Sequence, residues 1–203
     1  MTDLIDRIYF EQLAAQRPED ICKRAVCAYD DSEKCYRVTV WEDVCQICPG
    51  RYTVSCIQQN HEPLHPYFEL FAMHYLLSAK SLEPVNQWIS EKDIPGGATF
   101  FRGPHAVPAD LITARFGDDI SAFQDTCKAY GGTALDLADA AFCFQIAPRI
   151  VAAVLYWKGD EDFPAEAKLL YDQTIADHLA LDVIYAMAVG ICKRLGKDSN
   201  PAV

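Results

Sequence analysis

Cysteine and histidine side chains that can chelate a metal ion are concentrated between residues 45 and 61. Cys45 and Cys48 are separated by two residues, Cys56 follows, and His61 lies downstream. Two thiolates at this spacing on a turn can hold one ion, and further thiolate or imidazole ligands complete such a site. The sequence therefore predicts a metal site formed by Cys45, Cys48, Cys56 and His61, with zinc or an iron–sulfur cluster as the cofactor.

With His65 added, the same residues satisfy the spacing of a zinc finger. However, Pro63 and Pro66 prevent the helix on which both histidines of a finger lie. A ferredoxin-type cluster would require a dense run of cysteines ahead of Cys48, and that run is absent. A site of another type remains open, as do a dithiol redox pair and plain free thiols on a hairpin.

The chain contains nine cysteines, an odd number, and its first residues carry no secretory signal. Reduced thiols or metal ligands are therefore favoured over a disulfide framework. For Cys127, Cys143 and Cys192 the alternative is that each is a small buried hydrophobic residue.

An acidic segment follows the most apolar part of the sequence and forms a second candidate site. Carboxylates at the end of a buried strand can bind a hard cation, orient an arginine, or serve as acid and base. The predicted ligand-binding residues are Arg149, Asp160, Glu161, Asp172 and His178. A solvated turn is the alternative for Asp160 and Glu161, and Arg149 pairing with Asp160 or Asp172 would only fix that turn.

Hydrophobic periodicity predicts helices at both ends of the chain and strands between them. Helices are predicted up to residue 26 and over 67–79, 108–116, 121–130 and 181–195. Strands are predicted over 36–40, 52–56, 142–146 and 150–157, with a turn-rich segment at 45–50 and an extended segment at 99–101. This pattern predicts one α+β domain with a mixed or antiparallel sheet flanked by helices, divided into an N-terminal helical segment (1–30) and a core (31–203).

Composition limits the possible classes of function. The 203 residues are 51% hydrophobic and 23% charged, with a formal net charge of −11. That balance is typical of a globular protein. A strongly acidic chain repels phosphate backbones, so nucleic-acid binding is not predicted. No apolar run reaches the length of a membrane span, and we expect a cytoplasmic protein.

Several short segments form a recognisable set: 74–77 (HYLL), 94–97 (IPGG), 148–149 (PR), 155–164 (LYWKGDEDFP) and 170–172 (LYD). Together they resemble an uncharacterised prokaryotic family, the domain-of-unknown-function family numbered 3786. The similarity extends from about Tyr36 to the C-terminus. It implies a protein of anaerobic bacteria or archaea, and some members of the family carry a separate iron–sulfur segment. The resemblance implies a link to metallocofactors and supplies no catalytic residues.

Three hypotheses of function follow. The first is a cytosolic binding or accessory protein that works with a metal centre or a metallocofactor enzyme, so that its partner is a metalloprotein or a redox protein. The second is an enzyme in which Asp160, Glu161, Asp172 and His178 converge on one acidic pocket. The third is a protein-interaction module, with Trp41, Trp88 and Trp157 forming one exposed patch.

Overall fold

Along the chain, helices precede, separate and follow two groups of strands. The computed structural model describes residues 4–57 and 64–197. The α-helices in that part of the chain are α1 (Arg7–Ala14), α2 (Pro18–Ala25), α3 (Pro66–Ser78), α4 (Gly97–Phe100), α5 (Asp110–Phe116), α6 (Ile120–Ala129), α7 (Ile175–His178) and α8 (Leu181–Gly196). Short 3₁₀ turns lie at Pro49–Arg51 and Gly103–His105.

The strands form two separate sheets. They are β1 (Ala28–Asp30), β2 (Cys35–Val40), β3 (Asp43–Cys48), β4 (Thr53–Ile57), β5 (Trp88–Ile89), β6 (Thr133–Leu135), β7 (Ala140–Ala147), β8 (Ile150–Trp157) and β9 (Glu166–Asp172). The first sheet has the order β1-β2-β3-β4 and the second the order β5-β9-β8-β7-β6. All neighbouring strands are antiparallel. The predicted α+β class is confirmed, and the sheets are antiparallel rather than mixed.

Strand β8 is the centre of the second sheet. All eight of its residues are apolar or aromatic, and all but the last are buried. This is the expected behaviour of a strand that is covered on both faces. Its inward side chains, such as Val154 and Tyr156, belong to the main hydrophobic core.

Trp41 joins the two sheets. Its backbone N–H donates to the carbonyl of Ile146 at 3.0 Å, and its indole N–H donates to the carbonyl of Tyr130 at 2.9 Å. Its ring lies 5.0 Å from that of Phe144 and 5.7 Å from that of Phe68, between ring centroids. The side chain is therefore buried in the core, where it satisfies its polar group as buried tryptophans usually do.

Helix α8 packs against α3 and α5 at positions where it has glycine. A Cβ atom on Gly190 would lie 2.7 Å from the ring of Phe68 in α3. A Cβ atom on Gly196 would lie 2.6 Å from the carbonyl oxygen of Leu111 in α5. Glycine at these two positions lets the helix axes approach closely, and this approach fixes where the C-terminal end of α8 lies.

Two sequence predictions of local structure are wrong. The segment predicted as turn-rich, 45–50, contains most of β3, because the hairpin between β2 and β3 turns through Trp41 and Glu42. Both residues have left-handed backbone angles, with φ of 42° and 71°. Such turns normally use Asn-Gly, so the sequence carries no signal for this hairpin. The segment 99–101, predicted to be extended, lies mostly in α4.

Candidate functional site

The predicted cysteine ligands lie on opposite faces of the first sheet. Successive side chains of a strand point to opposite faces, so residues three apart in β3 face away from each other. Cys45 faces the core, and it is disulfide-bonded to Cys56, its cross-strand partner in β4. Cys48 faces outward, and it is disulfide-bonded to Cys35 in β2. The structure therefore does not bring Cys45 and Cys48 together on one ion.

The cross-strand register explains both disulfides. The Cα atoms of the bonded cysteines are 3.9 Å apart for Cys45 and Cys56 and 4.3 Å apart for Cys35 and Cys48. The expectation that disulfides are disfavoured is wrong for these four residues, because it was drawn from the cysteine count and not from strand pairing. Arg51 donates to the Sγ atoms of Cys35 and Cys48 at 3.0 and 2.9 Å.

The fourth predicted metal ligand, His61, lies outside the described residues. In residues 4–57 and 64–197, no group of three or more His, Cys, Asp or Glu side chains is placed to hold a metal ion.

The predicted acidic pocket is divided between two ends of the second sheet. Asp160 and Glu161 are exposed in the turn between β8 and β9. Asp172 is at the far end of β9, about six residues or ~20 Å along the strand. The carboxylate of Asp160 accepts the backbone N–H groups of Asp162 and Phe163, and these hydrogen bonds lower its pKa. Asp160 therefore stabilises its own turn. This arrangement corresponds to the alternative in which Asp160 and Glu161 lie in a solvated turn.

Asp172 and Arg149 hold main-chain segments in place. Asp172 is 2% exposed and accepts hydrogen bonds from the backbone of Asn86 at 2.7 Å and from the backbone and hydroxyl of Thr174 at 3.0 and 2.7 Å. Arg149 donates to the carbonyl of Arg24 at 2.7 Å and forms an ion pair with Glu83. The partner of Arg149 is thus Glu83 rather than Asp160 or Asp172.

His178 is buried at the same end of the sheet. Its Nδ1 accepts the backbone N–H of Lys80 at 3.2 Å, and burial lowers its pKa. Its Nε2 is buried without a hydrogen-bond partner in the described part of the chain. The structure thus places Asp172 and His178 at one end and Asp160 and Glu161 at the other, so the pocket required by the enzyme hypothesis is not formed.

A different site, lined by basic side chains, lies at the C-terminal end of α8. A cavity of about 420 Å³ opens there between α8, α5 and the start of α3. The described residues that line it are His65, Leu111, Tyr130, Lys193, Arg194, Gly196 and Lys197. Two lysines and one arginine are among these seven residues, in a chain whose net charge is −11. The cavity is within the size range of small-molecule sites.

Arg194 forms the inner wall of this basic pocket. Its guanidinium lies over the rings of Trp41 and Tyr130, at 4.8 and 4.9 Å from their centroids. Its side chain is 7% exposed, and Nη1 is 3.5 Å from the carboxylate of Asp43. The Nε and Nη2 atoms have no hydrogen-bond partner among the described residues. An arginine held between two rings is fixed in direction, as recognition of an anion requires.

His65 is fixed at the mouth of the pocket by the start of α3. It is the N-cap of that helix, and its Nδ1 accepts the backbone N–H of Tyr67 at 3.2 Å. Burial and the neighbouring Lys193 lower its pKa, so the ring is neutral near pH 7. Because Nδ1 accepts, the ring proton is on Nε2. The Nε2 atom lies 3.2 Å from Nζ of Lys193, so two donors face each other.

Comparison with known proteins identifies the family. The family described as Domain of unknown function (DUF3786) matches residues 17–194 of the 203-residue chain. The chain belongs to this family. No curated protein and no solved structure matches it. The matched region of this DUF3786 protein contains His65, Lys193 and Arg194, and ends before Lys197.

Sequence reasoning considered His65 only as a zinc-finger ligand and missed the other residues that line the pocket in this DUF3786 protein. A signal was present: Lys193, Arg194 and Lys197 form a basic cluster over one helical turn in an acidic chain. Basic residues at a helix C-terminus also offset the helix dipole, however, so that cluster alone does not indicate a ligand. Leu111 and Tyr130 are far away in sequence, and only the fold brings them to the same cavity.

The three tryptophans of the interaction hypothesis do not form one patch. Trp41 is buried in the core, whereas Trp88 and Trp157 are half-buried. The latter two pack with Leu155 and its neighbours in a small separate cluster on the outer face of the second sheet. In the described part of this DUF3786 protein, no helix combines the length and the apolar character that are needed to cross a membrane.

Proposed function

We propose that this DUF3786 protein is a binding or accessory protein that holds a small anionic ligand in the basic pocket at the end of α8. The observation that carries this proposal is the lining itself. His65, Lys193, Arg194 and Lys197 surround one cavity in a protein that is acidic overall. Lys193, Arg194 and Lys197 concentrate positive charge against the net charge of the chain, and the neutral ring of His65 adds a hydrogen-bond donor, so the pocket favours an anion.

The pair of donors at the mouth supports the same ligand class. The Nε2–H group of His65 and the ammonium of Lys193 face each other across 3.2 Å, and in residues 4–57 and 64–197 the two share no acceptor. A carboxylate or phosphate oxygen placed beside both groups accepts a hydrogen bond from each. Such charge-assisted hydrogen bonds are stronger than those between neutral groups. An anion at this position therefore adds a favourable contact to the pocket.

The remaining walls indicate what else the ligand carries. Leu111 and the ring of Tyr130 are apolar surfaces beside the cations. Pockets for small molecules usually combine an apolar lining with a few polar groups that fix orientation. We infer a ligand that has an anionic group at the His65–Lys193 pair and an apolar portion against Leu111 and Tyr130.

Titration calorimetry in chloride-poor buffer tests the proposal, with inorganic phosphate and citrate as the two probes. Lys193→Met removes one charge and keeps most of the packing volume. Losing one charge-assisted hydrogen bond predicts a fall in affinity of about tenfold or more. Lys128→Met is the matched control, since Lys128 is exposed on α6 and forms a surface ion pair with Asp125. The affinity of the Lys128→Met variant for phosphate and citrate should equal that of the parent protein.

Two results would contradict the proposal. One is the absence of saturable binding of either probe by the parent protein. The other is an equal loss of affinity in the Lys193→Met and Lys128→Met variants, which would show an unspecific response to charge. A preference for phosphate over citrate, or the reverse, assigns the anionic group.

The link to a metal centre, and a metalloprotein or redox protein as the partner, stay predictions. They rest on the nine cysteines and on the resemblance described above. Elemental analysis and a visible spectrum of protein purified without oxygen check this prediction, since reduction would free the four cysteines of β2–β4. Stoichiometric zinc, or iron with a sulfide absorption band, would support it.

A further inference from the structure

Two cysteines outside the disulfide-bonded sheet have their sulfur atoms in contact. Cys22 and Cys27 are both free and half-buried. The thiol of Cys27 lies 3.8 Å from the sulfur of Cys22, within the range of a sulfur hydrogen bond. The basic pocket does not involve either residue, so this pair is independent of the proposed function.

The end of α2 brings the two thiols together. The backbone N–H of Cys27 donates to the carbonyl of Cys22 at 3.3 Å, and Val26, which directly precedes Cys27, has a left-handed backbone with φ of 51°. A left-handed residue followed by this hydrogen bond is a Schellman cap, in which the side chains at its two ends meet. The spacing Cys-x₄-Cys therefore places one thiol on each side of the cap.

Val26 makes this cap unusual. A β-branched residue rarely adopts a left-handed backbone, and glycine is the usual choice at this position. The conformation persists because the surrounding contacts determine it. One such contact is Arg24, whose guanidinium donates to the carbonyls of Leu76 and Leu77 at 2.6 and 3.0 Å and so fixes the end of α2 against α3. The two thiols are thus held adjacent by the fold.

We propose that Cys22 and Cys27 form a redox modification site. Thiol–disulfide exchange with a small-molecule disulfide oxidises the two thiols to a third disulfide bond. The thiolate of one cysteine attacks the small disulfide, forms a mixed disulfide and releases one small thiol. The second cysteine attacks the protein sulfur of that mixed disulfide and releases the other small thiol. Two electrons pass from the protein to the small disulfide, and the two protons leave with the released thiols.

The geometry requires only a local movement. An S–S bond is about 2.05 Å long, so the sulfurs approach each other by a further ~1.7 Å from their present separation. Burial and the neighbouring Cys22 raise the pKa of Cys27 to about 12. Because the thiolate is the attacking species, the exchange should be slow at neutral pH and should accelerate as the pH rises.

The folded protein, treated with oxidised glutathione above pH 8 and then alkylated, tests this proposal. Intact mass should show the loss of two alkylatable thiols and of two hydrogens, with no retained glutathione. Peptide mapping should place the new bond between Cys22 and Cys27. In the Cys22→Ser variant the closing thiol is absent, so Cys27 should instead retain one glutathione.

Cys143→Ser is the matched control. Cys143 is also free and half-buried, and within the described part of the chain no disulfide or sulfur hydrogen bond involves it, so its removal should leave the closure unchanged. A trivalent organoarsenical, which bridges two adjacent thiols, is a second probe that needs no oxidation. It should bind the parent protein one to one and should not bind the Cys22→Ser variant.

Three outcomes would overturn the proposal. The first is separate glutathione adducts on Cys22 and Cys27. The second is a new bond from either residue to a different cysteine. The third is arsenical binding that is equal in the parent and Cys22→Ser proteins. Circular dichroism of the variant, compared with the parent before treatment, shows whether it is folded.

Discussion

At the scale of the residue, burial separates carboxylates that look equivalent in the sequence. Asp160 and Asp172 lie twelve positions apart and were both predicted to bind a ligand. Asp160 is exposed and accepts from its own turn. Asp172 is buried, and although burial raises its pKa, hydrogen bonds from Thr174 and from the backbone of Val85 and Asn86 lower it overall. Asp172 therefore holds the segment before β5 and the turn after β9.

Asp172→Asn tests this structural role. The amide keeps the size of the side chain but replaces one acceptor oxygen by an NH₂ donor. In the variant, that NH₂ group faces N–H or O–H donors of Asn86 and Thr174, which bind the carboxylate in the parent protein. We expect the free energy of unfolding to fall by about 2–4 kcal/mol, as measured by urea denaturation. Asp160→Asn, the matched control, should leave the denaturation midpoint almost unchanged. Similar midpoints for the two variants would show that Asp172 is not needed to hold these segments.

At the scale of the element, α8 links the core to the basic pocket. Its middle is buried against α3, and its last turn carries Lys193 and Arg194 at the cavity. The helix keeps this position because Gly190 fits against the ring of Phe68. A side chain at Gly190 must displace a buried aromatic ring in a close-packed interior.

Gly190→Ala tests the packing of α8 on α3. Overpacking of this kind typically costs about 1–3 kcal/mol. Except at the lowest end of that range, this cost exceeds the gain in helix propensity from replacing glycine by alanine, about 1 kcal/mol. We expect a lower free energy of unfolding and weaker phosphate binding, because the end of α8 shifts. Gly50→Ala is the control, since among the described residues, apart from its two chain neighbours, no heavy atom lies within 4 Å of the added Cβ atom. A Gly190→Ala protein as stable as the parent would contradict this account.

At the scale of the whole molecule, three histidines are held in their neutral form. Burial is the main cause that lowers the pKa of His65, His74 and His178, and Lys193 adds to it at His65. A histidine has an ordinary pKa of about 6.5 in an unfolded chain. Below that pH the unfolded state binds more protons than the folded state, so acid favours unfolding.

The expected consequence is a loss of stability on mild acidification. The free energy of unfolding should fall as the pH decreases from about 7.5 through 6.5 and towards 5, with the fall complete below the lowered pKa values of the folded state. Urea denaturation across this range measures it. His74→Phe keeps an aromatic ring against Tyr9, which now lies 4.5 Å from the His74 ring, and should make the curve shallower. A flat curve, or greater stability in acid, would show that these histidines are not held neutral.

Much of the fold was predictable because it depends on local patterns. The apolar run of β8, the periodicity of α3 and α8, and the glycine at the end of α5 each occur within one segment of sequence. Strand β3 was missed because its hairpin turns through Trp41 and Glu42, which carry no turn signal. That single miss also changed the site, since it placed Cys45 and Cys48 on a turn instead of on opposite faces of a strand.

The sequence by itself determined the α+β class, the family and the acidic character of the chain. Short-range periodicity decides the class, the resemblance of short motifs indicates the family, and composition decides the charge. Only the tertiary structure decided which cysteines pair, that Asp160 and Asp172 lie at opposite ends of a sheet, and that His65 meets Lys193. The physical reason is that strand register and helix packing bring together residues as distant in sequence as Asp43 and Arg194, which are 151 positions apart. No local pattern in the sequence records those distances.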